Sequence, residues 1–134
     1  MRYAELLEKL EAVLTFCENL ELGDQVKKSR FKEYRTLIKK LCSIIDSYSF
    51  DSLPAEIKKE LSDRNLEYVL SLTESVELVE TMDYLKTCDE EIAREKLTKI
   101  LGGPLLPKDE DGNSNEARNT LFEVNLASKL WSAG

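Results

Sequence analysis

Apolar residues recur three and four positions apart along nearly the whole chain, and no stretch alternates apolar and polar with a period of two. The first spacing lays a stripe along one side of an α-helix, whereas a half-buried strand needs the second. The chain is therefore expected to be all-α, an irregular bundle of five to six helices.

The breaks in the pattern divide it. Leu6, Leu7, Leu10, Val13, Leu14, Cys17 and Leu20 form a first amphipathic face, and Gly23-Asp24 is expected to end that helix in a turn. A second helix is expected from about 26 to 47, with Phe31, Tyr34, Ile38, Leu41 and Ile45 along one side and Leu37 and Ile44 widening it. A short third helix follows Pro54, with Ser52 as its cap, and a fourth, capped by Ser62 or Asp63, runs to about Lys86. Its apolar face drifts from Tyr68, Val69, Leu72, Val76 and Val79 to Leu78, Met82 and Leu85, which implies a bend or a change of packing partner. Thr87 and Glu90 have capping-box spacing for a fifth helix ended by Gly102. Residues 1–101 thus read as one helical module. Gly102-Gly103-Pro104, Pro107 and the polar run to Asn113 read as a linker, and 114–134 as a final helix, with Asn113 and Glu116 as its capping box.

Several chemistries are excluded by residue type. The chain has no histidine, so it holds no Ser-His-Asp or Cys-His pair and no histidine-zinc site. Cys17, Cys42 and Cys88 are too far apart for a metal or redox motif, and Cys17 and Cys42 fall on apolar helix faces as small hydrophobes. No apolar run approaches the ~20 residues that span a bilayer, and the first residues lack a signal-peptide core. A cytoplasmic protein with no membrane contact is the resulting expectation. The net charge of -7 opposes non-specific attraction to nucleic acid. Asp109 to Asn113 alternates acidic residues, but an EF-hand register beginning at Asp109 puts Ser114 at the glycine position and Thr120 at the glutamate position. No cofactor is expected in this segment.

The second helix concentrates charge. Residues 27–40 carry seven basic residues against Glu33, and Lys28, Lys32, Arg35 and Lys39 fall within about 60° on a helical wheel. Such a stripe is either a solvated face or a contact for an acidic partner. Residues 51–113 carry sixteen acidic residues against eight basic ones, with Glu67, Glu74 and Glu77 as a strip on the fourth helix, so an intramolecular contact also fits. Without interleaved exposed aromatics, nucleic-acid binding by this segment alone is not expected.

The final helix is apolar on two sides. Ala117, Leu121, Val124 and Trp131 form one stripe, and Phe122, Leu126, Leu130 and Ala133 another, with Arg118, Asn125 and Lys129 in a narrow polar strip. Two apolar sides call for neighbours on two sides. Phe122, Leu126, Leu130 and Trp131 are therefore candidate contacts for a protein partner, for a second copy of the chain, or for a second domain of which this helix is the truncated start. Glu123 stands among them, where a charge must be paired, ligating or open to solvent.

Residues 119–134, Asn-Thr-Leu-Phe-Glu-Val-Asn-Leu-Ala-Ser-Lys-Leu-Trp-Ser-Ala-Gly, are similar to the opening helix of some restriction-endonuclease-like nucleases. In those proteins the segment reads approximately Phe-Glu-x-x-Leu-Ala-x-x-Leu, then Ala-Gly, then a first core strand. The resemblance implies that the glutamate matched by Glu123 lies near a metal site, and that the catalytic Asp and the Glu-x-Lys pair sit on strands beyond residue 134. Such a parent protein would cleave phosphodiesters with Mg²⁺ held by carboxylates. Within this segment Glu123 is the one catalytic candidate, and no catalytic site is complete.

Three readings follow. The leading one is a non-catalytic helical interaction or regulatory module. The second is the N-terminal fragment of a Mg²⁺-dependent nuclease, and the third a complete small adaptor or antitoxin-like binding protein.

Overall fold

The computed structural model describes residues 2–110 and 116–134, and among them it is all-α, an irregular bundle of seven helices with no strand. The helices are α1 (Tyr3–Asn19), α2 (Gly23–Lys28), α3 (Arg30–Ser47), α4 (Ala55–Asp63), α5 (Asn65–Thr87), α6 (Glu90–Leu101) and α7 (Glu116–Ala133). No helix among the described residues is long and apolar enough to cross a membrane.

The first break falls earlier than the glycine suggests. Glu21 takes the left-handed conformation with φ 66°, Glu21 N–H donates to Glu18 O, and Leu22 N–H donates to Cys17 O, both at 3.0 Å. This is a Schellman closure made without glycine, and it turns Leu22 into the core. Gly23 then begins α2 instead of ending α1. The expected single helix from 26 to 47 is two helices, because Ser29 is extended (φ -80°, ψ 157°) and its hydroxyl donates back to Val26 O at 2.8 Å. That interruption supplies the helix beyond the expected six.

The capping expectations are also corrected. Ser52 lies in a short 3-10 turn with its hydroxyl engaged by Ser49, and Pro54 occupies the cap position of α4. Arg64, not Ser62 or Asp63, precedes α5, and Thr87 ends that helix with its hydroxyl bonded to Tyr84 O. Asp89 precedes α6 without a side-chain cap. Asn113, and with it the proposed cap of the last helix, lies outside the described residues.

α5 is one uninterrupted helix that packs against α1, α3, α4, α6 and α7. The drift of its apolar residues corresponds to a change of neighbours. Its N-terminal half meets α3 through Arg30–Glu74, with Arg64 just ahead of it paired to Glu33, and its C-terminal half meets α7 through Glu80–Ser128 and Tyr84–Trp131. The buried side of α5 includes Ser71, Ser75 and Thr81, while Val69 of the expected face is exposed. Small hydroxyl side chains let neighbouring helices approach closely, and Ser71 and Thr81 satisfy themselves on Tyr68 O and Leu78 O. Phe31, Tyr34, Ile38, Leu10, Leu78, Leu97 and Leu121 share one core. One face of α7 therefore completes the same core as α1, α3 and α6.

Candidate interaction surface

α7 is held to the bundle by core packing and by polar groups along its seam with α5. Ala117, Leu121 and Val124 enter the core. Beside them Asn125 Nδ2 donates to Glu77 O at 3.1 Å, and Ser128 Oγ donates to Glu80 O at 3.1 Å. The partners advance in the same direction along both helices, so α5 and α7 run parallel. On the other flank Lys99 of α6 approaches Glu116 at 3.5 Å.

A buried ionic cluster anchors the start of this seam. Glu74 accepts from Arg30 Nε and from Arg118 Nε, both at 2.8 Å. Arg30 is buried, and its Nη1 donates to Ile100 O and Gly102 O at 2.6 Å, where it meets the negative end of α6. Its guanidinium stacks over Phe31 at 4.7 Å, yet its Nη2 has no hydrogen-bond partner among the described residues. Arg118 continues the cluster to Glu110, to Leu105 O at 2.7 Å and to Tyr34 Oη at 3.4 Å. Burial works against the Arg118 charge, but the hydrogen bonds to Glu74 and Glu110 outweigh it and hold the guanidinium above its ordinary pKa. Burial, followed by the Glu74 charge, pushes the Tyr34 phenol up to about 12. Sequence reasoning placed Arg30 and Glu74 in surface charge patterns. The break at Ser29, which aims Arg30 inward, is the signal that would have separated Arg30 from its basic neighbours.

With α7 fixed in this way, its second apolar stripe faces outward. Phe122 is 66% exposed, Leu126 48% and Leu130 68%. Trp131, expected with the inner stripe, is 49% exposed at the helix end, its ring 6.1 Å from that of Tyr84. The structure thus brings the four candidate contact residues onto one helix and leaves all of them accessible. Exposed apolar side chains scattered singly are ordinary, whereas a row on one helix face forms a patch.

Glu123 is exposed at the edge of that row. It lines a cleft of about 250 Å³ with Tyr84, Cys88, Ile92, Lys96 and Ala127. No group of three or more His, Cys, Asp or Glu side chains that could hold a metal occurs among the described residues. A larger cleft, about 540 Å³, lies between the start of α1 and the end of α3 and is lined by Arg2, Tyr3, Ala4, Cys42, Ile45 and Asp46.

The basic stripe is less regular than the wheel implied. Lys28 belongs to α2, so the break at Ser29 removes it from the register of Lys32, Arg35 and Lys39 on α3. Lys39 approaches Glu11 of α1 at 3.8 Å, both side chains exposed, and Arg35 is half-buried. The expected match between the acidic strip and this stripe is not formed: Glu74 meets Arg30 and Arg118, and Glu67 meets Arg64.

Comparisons with known protein families, with curated proteins and with solved structures give no match.

Proposed function

We propose that this chain acts as a non-catalytic helical interaction module and that the outward face of α7 is its docking surface. The observation that carries the reading is the row Phe122, Leu126 and Leu130, exposed on a helix whose opposite side is locked by core packing and by the Glu74 cluster. A rigid helix that presents anchors at i, i+4 and i+8 loses little side-chain and backbone freedom on binding, which favours recognition. The module would bring a partner protein, or a further domain of its own polypeptide, against this face.

The test is light scattering across protein concentration in high salt, where the repulsion from a net charge of -7 is screened. An available apolar row is expected to drive weak self-association, and Trp131→Glu or Phe122→Glu with Leu130→Glu to abolish it. A chain that stays monomeric throughout, with Trp131 shielded from a soluble quencher, overturns the reading.

One observation favours a second reading, the N-terminal part of a Mg²⁺-dependent nuclease. Of the residues in the Phe-Glu-x-x-Leu-Ala-x-x-Leu pattern, Phe122, Glu123, Leu126 and Leu130 are exposed and Ala127 is half-buried. A strand-bearing neighbour laid on that face would meet Glu123. A reading frame that continues past residue 134 into strands carrying an Asp and then Glu-x-Lys supports it, and continuation without them removes it.

A further inference from the structure

We infer that the occupant of the α7 face is an amphipathic helix of a partner protein whose apolar side is edged by lysine or arginine. The inference rests on the interaction reading above and names the chemistry of the partner. Phe122 to Leu130 spans about 12 Å along the helix axis, some two turns. A patch of this kind amounts to a few hundred Å², short of the roughly 800 Å² per partner that a stable globular interface buries. A single helix packed along α7, by contrast, covers a two-turn row with a few side chains of its own.

Charge selects among helices. The α5 edge beside the row carries Glu74, Glu77 and Glu80. Glu74 is compensated by Arg30 and Arg118, and Lys129 comes only to 4.0 Å from Glu80. Glu77 has no ion pair among the described residues, and burial, then the charges of Glu74 and Glu80, pushes its carboxyl above its ordinary pKa despite Lys129. A cation placed at this edge relieves that crowding. On the opposite edge Glu123 is exposed, with Lys96 lining the same cleft. A second copy of the chain fits less well. Both partners would carry -7, and antiparallel pairing of two α7 faces about Leu126 sets the exposed Glu123 on the same flank as its copy.

Trp131, the one tryptophan of the chain, stands at the end of the row and reports occupancy by fluorescence. The probes are three tryptophan-free 18-residue helical peptides with one shared leucine face and lysine, glutamine or glutamate along its edges. Titrations are run at low salt and at a concentration where light scattering finds a monomer. The lysine peptide is expected to bind about five- to tenfold more tightly than the glutamine peptide, and the glutamate peptide most weakly. Added salt, or Glu77→Gln with Glu80→Gln, is expected to erase the lysine advantage. Phe122→Ser with Leu130→Ser, checked for an unchanged helical spectrum, is expected to abolish binding of all three. Equal binding of the lysine and glutamine peptides, lost in the Phe122/Leu130 variant, overturns the basic partner and leaves the docking surface standing. So does self-association that outcompetes the lysine peptide. No binding by any peptide, or binding that survives the Phe122/Leu130 variant, overturns both.

Discussion

Replacing Glu74 by alanine is the perturbation that tests most directly how this fold is held. Glu74 carries the charge between Arg30, whose side chain is 0% exposed, and Arg118, whose side chain is 17% exposed. Without it Arg118 retains Glu110, but Arg30 keeps only the carbonyls of Ile100 and Gly102 and no counter-charge. Arg30 already has one unpartnered guanidinium nitrogen, so it has no reserve. Breaking a buried ion pair by removing one partner costs about 3–5 kcal/mol, a large share of the roughly 5–15 kcal/mol that keeps a domain folded. With a urea dependence of about 2 kcal/mol per molar, the unfolding midpoint of Glu74→Ala is expected to fall by roughly 1.5–2.5 M at an unchanged slope. The assay is urea unfolding followed in parallel by far-UV circular dichroism and by Trp131 fluorescence. The two transitions should coincide, because α7 shares its core with α1, α3 and α6. A control replaces the fully buried pair together, with Arg30→Met and Glu74→Leu, and is expected to cost much less than the single substitution, since Arg118 keeps Glu110 and no charge is left without a partner. A midpoint shift below about 0.5 M for Glu74→Ala, or a double variant less stable than the single one, refutes the claim that Glu74 neutralises a buried arginine.

Tyr34 links the same cluster to alkaline pH. Its phenol is pushed up to about 12 against about 10 in an unfolded chain, so its contribution is complete below pH 10 and disappears as pH rises through 12. Urea midpoints between pH 10 and 12 should therefore decline less steeply for Tyr34→Phe than for wild type, with the buried Cys17 thiol, also raised to about 12 by burial, as a background common to both. Parallel declines would remove the assignment. Glu21→Gly is expected to stabilise by about 0.5–1 kcal/mol, because glycine adopts the left-handed backbone at φ 66° without the strain of a Cβ. Thermal unfolding measures this, and a loss of stability contradicts the closure described for α1. Charge reversal at Lys28 and Lys32 should shift stability by less than about 0.5 kcal/mol, since both are exposed. If reversal at Lys28, Lys32, Arg35 and Lys39 leaves salt-sensitive partner binding unchanged, the stripe is a solvated face.

The helical periods of the chain were sufficient for the fold class and for most of the core. Leu6, Leu10, Val13, Leu14 and Cys17 bury as their spacing requires, as do Phe31, Tyr34 and Ile38, and Gly102 ends α6 where expected. These outcomes are local, set by 100° of rotation per residue and by the transfer of apolar surface from water. The turns were legible only in part. Glycine and hydroxyl residues mark where a chain is able to turn, but tertiary packing at Leu22 draws the chain through a left-handed glutamate two residues before the glycine.

For the candidate surface, sequence alone determined that α7 has two apolar sides and that Glu123 stands on one of them. Which side would be covered was a tertiary decision. The polar strip of Arg118, Asn125 and Lys129 looks like a solvent face on a wheel, yet it lies along α5 because Glu74, the backbone carbonyl of Glu77 and Glu80 offer it partners there. A polar residue is indifferent to burial until its hydrogen-bonding partners are in place, and those partners lie more than forty residues away in the chain. Once Arg118, Asn125 and the Leu121 side turn inward, helical geometry forces Phe122, Leu126 and Leu130 outward. The chemistry of the exposed row was readable from one dimension, and its exposure was settled only by three.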